Sequence, residues 1–343
     1  MRIVLDAMGA DAAPDPEVRG AVEASLETKA EIVLVGDEPL LTKKLAAFPK
    51  RGHVSIVHAS ERVLMEDSPM VAVRQKKDSS LMVGMRLLKE GNAAGFLSAG
   101  NTGAVMLAAR VVLGPIRGVA RSAICQILPT KLNPVVVLDL GANVDCTADH
   151  LCQFAEMGQV YAQLTLGVEH PRVGLLNIGE EKAKGNDIAK KVHQRLTATS
   201  HINFIGNIEP KAMFAGDADV IVCDGFIGNL LLKTCEATAG LVKTLLEREL
   251  KASPISLLGG ALSLGAFKRL KRRTDPNLQP GAPLLGVNGI VIIAHGSCTH
   301  EAIKTALLGI EAEAELGLMD HIREGIEALR AVEVPPTPAG SPS

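Results

Sequence analysis

Short apolar, β-branched runs recur along the chain, near residues 2–6, 31–35, 54–58, 95–98, 122–128, 135–139, 172–178, 202–205, 219–223 and 290–294. Each has the length and make-up of a buried strand, and stretches of helical spacing separate many of them. Between Asp78 and Glu90 an Asp-Ser-Ser opening precedes Leu81, Met82, Met85 and Leu88, which recur at helical spacing. Thr102 can cap a helix over Gly103 to Leu113, and Phe226 to Leu250 reads as a long helix. Strands alternating with helices predict a mostly parallel sheet covered on both faces, an α/β fold. The runs at 122–128 and 135–139, joined by Pro-Thr-Lys-Leu-Asn-Pro, predict an antiparallel hairpin inserted in it. One large α/β domain over residues 1–331 accommodates the pattern, although the length also allows two. From 332 to 343 the Pro-rich end cannot bury apolar surface and is expected to be a disordered tail.

The strands end in a recurrent way, in short loops of Gly, Asn, Asp and Ser. Examples are Leu5-Asp6-Ala7-Met8-Gly9, Leu138-Asp139-Leu140-Gly141-Ala142-Asn143 and Ile293-Ala294-His295-Gly296-Ser297. Ligands of open α/β sheets sit outside the carboxyl ends of parallel strands, so these joints are expected to converge on one site. Such a site is rich in backbone N–H groups and carboxamides and poor in aromatic surface. It suits a small anion with an acyl or amide chain better than a stacked base.

Composition narrows the chemistry. The chain has no Trp, one Tyr and a formal net charge of -2, so neither stacking platforms nor a global field for nucleic acid is present. Six scattered cysteines read as reduced thiols rather than a disulfide frame. The chain enters a strand at Ile3 with no charged-then-apolar leader, and no uncharged run is long enough to span a bilayer. A cytosolic protein, or one lying on a membrane surface, is expected. There is no Gly-Lys pair for a Walker A loop, no G-x-G-x-x-G fingerprint and no G-x-S-x-G elbow. His295, Cys298 and His300 are too few for a zinc site, so neither metal nor cofactor is expected.

Three loops carry candidate residues. Ser98, Gly100, Asn101, Thr102 and Gly103 join a strand to a helix, where free N–H groups of the first turn can face an anion; a tight capped turn reads equally well. Asn177, Glu180, Lys184, Gly185 and Asn186 form a polar loop that can hold phosphate or an oxyanion, or simply a solvated helix start. Asp224 and Asn229 place a carboxylate and a carboxamide close together after a strand, with Asp224 also readable as an N-cap. Asn143 is a further candidate substrate contact, and His295 is a proton-transfer candidate or a wall residue. Segment 253–273 stands apart: Leu258, Leu262 and Ala266 recur every fourth residue, followed by Lys268 to Arg273. Such an apolar-basic helix fits an anionic membrane surface or a partner subunit.

With these residues identified, the chain resembles the PlsX-type phosphate acyltransferases of bacterial phospholipid synthesis, from residue 1 to about residue 310. The likeness rests on Asp6-Ala7-Met8-Gly9, Lys76-Lys77-Asp78-Ser79-Ser80, Ser98-Ala99-Gly100-Asn101-Thr102-Gly103-Ala104 and Asp139-Leu140-Gly141-Ala142-Asn143-Val144-Asp145-Cys146. Further matches are Asn177-Ile178-Gly179-Glu180-Glu181, Lys184-Gly185-Asn186, Gly206-Asn207-Ile208-Glu209, Asp224-Gly225-Phe226-Ile227-Gly228-Asn229 and Leu284-Leu285-Gly286-Val287. Ala10, Ser122, Pro210 and Ala212 depart from the usual family residues. The resemblance implies acyl transfer from acyl carrier protein to inorganic phosphate. It also implies a homodimer of three-layer αβα architecture, related to isopropylmalate dehydrogenases and phosphotransacetylases, without metal or nucleotide. Lys184, Asp224 and Asn229 match positions the family uses at its site. A membrane glycerol-3-phosphate acyltransferase is the implied next enzyme. A different acyl or phosphate transferase of the phosphotransacetylase type, a metal- and NAD-dependent oxidative decarboxylase, or a non-catalytic lipid-synthesis scaffold are the rival readings.

Overall fold

The computed structural model describes residues 1–274 and 280–333. Eleven strands are β1 (Arg2–Asp6), β2 (Glu31–Gly36), β3 (Val54–His58), β4 (Gly95–Ser98), β5 (Ala123–Leu128), β6 (Val135–Leu138), β7 (Val173–Leu176), β8 (Phe204–Ile208), β9 (Val220–Val222), β10 (Ala282–Leu285) and β11 (Ile290–Ile293). The helices begin with α1 (Asp15–Ser25), α2 (Glu38–Leu45), α3 (Pro69–Gln75), α4 (Ser80–Lys89), α5 (Thr102–Val112), α6 (Ala148–Leu166) and α7 (Asp187–Ala198). They continue with α8 (Pro210–Ala215), α9 (Gly225–Lys251), α10 (Pro254–Leu262), α11 (Leu264–Thr274), α12 (His300–Glu315) and α13 (Leu318–Glu333). Residues 332 and 333 thus belong to a helix, and the rest of the expected tail lies outside the described residues.

All eleven strands form one sheet in the order β3-β2-β1-β4-β11-β10-β5-β6-β9-β7-β8. The expected hairpin is present, with Cys125 opposite Leu138 and Leu128 opposite Val135. The expected alternation of strand and helix holds as well. However, β10 was not expected as a strand: its four residues include Pro283 and follow no alternating pattern. It runs antiparallel to both β11 and β5. With the β5–β6 reversal, three changes of direction separate β11 from β6. Consequently β1, β2, β3, β4 and β11 run one way, and β6, β7, β8 and β9 run the other.

Side chains of period two distribute the core between the two faces. Val4, Val33, Phe96, Val135 and Val137 enter one cluster that crosses both parallel sets. On the opposite face Ile3, Leu5, Ile32 and Leu97 pack with α1 and α12. There Val136 and Leu138 pack with Phe154 of α6 and with α13. Helices on both faces of a continuous sheet give the three-layer arrangement.

Several buried carboxyls lie under this core. Glu17 on α1 is fully buried; its Oε1 accepts from the Ala10 N–H at 2.8 Å, and its Oε2 has no hydrogen-bond partner among the described residues. Burial pushes its pKa up to about 8, against the opposing bond from Ala10. Glu313 is likewise raised to about 7 by burial, with Tyr161 Oη donating to it. In the unfolded chain Glu17 titrates near 4.5. Between 4.5 and about 8 the folded protein therefore holds a proton that the unfolded chain has lost, and stability falls as pH rises through that window. Melting temperature should drop from about pH 5 to about pH 8 in the wild type and drop less in Glu17→Gln. Parallel profiles for the two proteins would show that Glu17 ionises normally in the fold.

Candidate active site

The site grows from one carboxylate at the end of β6. Asp139 is fully buried, and its Oδ1 accepts from the N–H groups of Ile124, Gly141 and Ala142 at 3.0, 3.2 and 3.0 Å. Its Oδ2 accepts from Asn143 N at 2.7 Å and Asn143 Nδ2 at 2.9 Å. Burial raises the Asp139 pKa, and these donors oppose the rise by stabilising the anion. The loop between β6 and α6 is thus wound around a single acid. Asn143 Nδ2 also donates to Ser122 O at 2.7 Å, tying that loop to the start of β5.

The wound loop then seats α9. Gly225 N donates to Asn143 O at 2.8 Å. A Cβ on Gly228 would lie 1.9 Å from the Asp139 carbonyl oxygen, so only glycine permits this approach. Asp224 is the N-cap, its Oδ1 accepting from Ile227 N at 2.8 Å. Capping uses this one oxygen, and the second keeps acceptor capacity. Asn229, in the second turn of α9, lies beside Gly141; a Cβ there would stand 3.6 Å from the Asn229 Cβ.

A second wall comes from the β7–α7 loop. Asn177 Nδ2 donates to Lys184 O at 3.2 Å, Asn207 Nδ2 holds Glu181 O at 2.8 Å, and Asn186 caps α7 through Ala189 N at 2.8 Å. Gly185 takes the left-handed conformation with φ +88. Lys184 and Glu180 are exposed, and the Lys184 ammonium has no hydrogen bond or ion pair among the described residues. Between the two walls opens a cavity of about 2010 Å³. Its polar end holds Asp145, Cys146, Asn177, Gly185, Asn186 and Asp224. From there it runs along α9 to apolar residues of α10 and α11, including Leu257 and Phe267.

The other predicted residues lie elsewhere. Ser98, Gly100, Asn101, Thr102, Gly103 and His295 stand at the carboxyl ends of β4 and β11, which leave the sheet at the edge opposite to β6, β7 and β9. The strand-end loops therefore do not converge within one chain, because the two parallel sets run in opposite directions. At this edge Asp6 Oδ2 accepts from Ser98 Oγ at 2.8 Å, and Ser98 Oγ accepts from Gly100 N at 3.1 Å. The α5 cap is Asn101, not Thr102: its Oδ1 accepts from Ala104 N at 3.0 Å. Its Nδ2 binds Met65 O and Asp67 O at 2.8 and 3.0 Å, a grip that the shorter Thr side chain cannot supply. His295 is exposed, with Nδ1 2.8 Å from Ser297 Oγ.

Thiol chemistry finds little support. Burial pushes Cys146 up to about 11 and Cys298 up to about 12, and leaves Cys223 well above the ordinary thiol range. The residue that sequence reasoning passed over is Asp139, whose signal is an acid directly before Gly-Ala-Asn at a strand end. Asp139→Ala should cost about 3–5 kcal/mol, since it strands several buried N–H donors. Urea unfolding measures it, and a loss below about 1 kcal/mol would mean that the loop is held by other contacts.

Comparison with known proteins gives the family and the fold. The model of a family described as fatty acid synthesis protein matches residues 1–322. A phosphate acyltransferase of Acidobacterium capsulatum is 46% identical over 317 residues, covering 91% of this chain and 92% of its own. One from Desulforamulus reducens is 46% identical over 333 residues, covering 97% and 99%. Among solved structures, the EutD phosphotransacetylase of Staphylococcus aureus superposes with TM-score 0.59 at 15% identity, covering 92% of this chain and 94% of its own. A phosphotransacetylase of Streptococcus pyogenes gives TM-score 0.59 at 19% identity, with the same coverage of 92% and 94%. At such low identity these two speak for the fold alone. Sequence likeness over nearly the whole chain, on a phosphotransacetylase-like fold, places this protein in the family of PlsX-type phosphate acyltransferases.

Proposed function

We propose that this chain moves a fatty acyl group from acyl carrier protein to inorganic phosphate, giving acyl phosphate for phospholipid synthesis. The observation that carries this reading is the cavity itself, polar where Asn177, Asn186 and Asp224 meet and apolar along α9. Phosphate bound at the polar end directs an oxygen at the thioester carbonyl carbon. A tetrahedral oxyanion forms, the C–S bond breaks, and the pantetheine thiolate leaves and takes its proton from solvent. A thiolate is a good leaving group, so positioning and charge stabilisation suffice. Lys184 offsets the charge on phosphate and the oxyanion. The free oxygen of Asp224 and the carboxamide of Asn229 orient the reactants. Gly185, Asn186, Asn177 and Asn143 supply further polar contacts. Direct attack is favoured over an acyl-enzyme because burial keeps the cavity's Cys146 and Cys223 protonated.

Purified protein supplied with acyl carrier protein thioester and phosphate should produce acyl phosphate, trapped as the hydroxamate. Lys184→Ala should lower kcat/KM by about 10²–10³ with little change in melting, because an exposed ammonium adds little stability. Undiminished turnover in that variant would remove Lys184 from the mechanism.

The α9–α11 arm supports two further parts of the reading, a homodimer and contact with a membrane surface. α9 is about 40 Å long and, outside the cavity, exposes Leu241 and Leu245 one turn apart, a face suited to a second copy. At the arm's end Ile255 is 85% exposed and Leu262 82%, with Lys268 and Arg269 following on α11. The side chains of Lys271, Arg272 and Arg273 lie outside the described residues. No helix among the described residues is long and apolar enough to cross a membrane, so this arm would lie on one. There it would release acyl phosphate to a membrane glycerol-3-phosphate acyltransferase. The double variant Leu258→Glu, Leu262→Glu should lose binding to anionic vesicles while keeping activity on the soluble donor. Dissociation or aggregation of that variant on a sizing column would instead assign these leucines to packing between protein surfaces.

A further inference from the structure

The polar end of the cavity opens beside three neighbouring strand ends. β9 pairs with β6 on one side and β7 on the other, all parallel, so these strands end within about 10 Å of one another. The segments that follow them present large apolar side chains to water. Ile178, two residues after β7, is 81% exposed, and Val144, on the loop after β6, is 62% exposed. Both also line the cavity, so they stand on its rim. Ile188 of α7 and Ile227 and Leu230 of α9 are likewise exposed and line it. Phe226, between the lining residues Asp224 and Ile227, is 61% exposed. Single exposed apolar residues are ordinary; six around one opening form an interaction surface. The backbone beneath them is tied down. Gly225 N donates to Asn143 O at 2.8 Å, Ile178 N donates to Asn177 Oδ1 at 2.8 Å, and Asn186 caps the helix that carries Ile188.

We propose that this apolar rim is the docking surface for the protein that delivers the acyl thioester, with Ile178 and Phe226 as its anchors. The inference rests on acyl carrier protein being the donor. A thioester tethered through pantetheine brings its protein to the opening nearest the reacting carbon. The arm end of the cavity lies about 40 Å away along α9, beyond the reach of such a tether. A second copy seated on the rim would close the opening through which the donor enters, whereas a carrier enters by sitting there. The rim then supplies the apolar contact of a protein interface, and the pantetheine fills the hole at its centre.

Two donors separate docking from chemistry: the carrier protein thioester and the same acyl group on free pantetheine. In Ile178→Glu and in Phe226→Glu, the ratio of kcat/KM for the carrier-borne donor to that for the free one should fall about 10–100-fold. Val111→Glu, at a 60% exposed position on α5 away from the rim, should keep the wild-type ratio. Independently of turnover, carrier protein with its thiol free should bind the wild type in a calorimetric titration and bind both rim variants at least about tenfold more weakly. Both variants should elute from a sizing column as the wild type does. An unchanged ratio in both variants, no binding of the carrier to the wild type, or a shifted elution volume would overturn the proposal, the last by assigning the rim to contact between copies. Carrier binding that depends on Ile178 and Phe226 in a protein that forms no acyl phosphate would uphold the docking surface and count against the reaction.

Discussion

The candidate site depends on one buried carboxylate. Asp139 collects donors from β5, from the turn after β6 and from the Asn143 side chain, and no other side chain among the described residues of this region gathers so many. A buried anion is costly unless its lone pairs are filled, so the peptide groups that fill them have little freedom. That fixes Asn143, and Asn143 in turn sets the first turn of α9 through Gly225. Asp224 and Asn229 owe their places to this chain of contacts rather than to each other. The glycines at 225 and 228 are the steric counterpart, since a side chain at either would push α9 off the Asp139 strand end.

The candidate lysine is held differently. The Lys184 ammonium has no partner among the described residues, while the loop that carries it is anchored by Asn177 and Asn207. A stiff frame that presents unsatisfied charge is what binding and aligning an anion requires. By contrast, Ser98 and Asn101 at the other edge spend their hydrogen bonds on the fold. Their polar character builds a tight joint between β1 and β4.

Much of this was legible in the sequence because it is local. Alternating residues such as Ile3, Val4 and Leu5 divide between two faces as period two demands, and the 122–139 hairpin closes where its turn residues place it. Asp224 could be read as a cap from its position alone. Strand direction has no such local signature. The four residues of β10, two pairing with β11 and two with β5, turn β5 to the direction of β11, so that the β5–β6 hairpin leaves β6 to β9 reversed. That reversal separates His295 and Gly100 from Lys184, although all of them follow similar strand-end patterns. The cap at Asn101 rather than Thr102 was decided by a long-range contact to residues 65–67, equally invisible locally.

The position of β11 bears on how the chain is made. β4 is flanked by β1 on one side and β11 on the other, and α12 covers α1 on the same face. On the ribosome, the first parallel set emerges early with one edge of β4 bare, and keeps it bare until the last strand is synthesised. The intervening set, from β6 to β9, has meanwhile all its strands available. Closure of the amino-terminal half therefore waits for β11, and a chain stopped before Ile290 presents an open sheet edge to its surroundings.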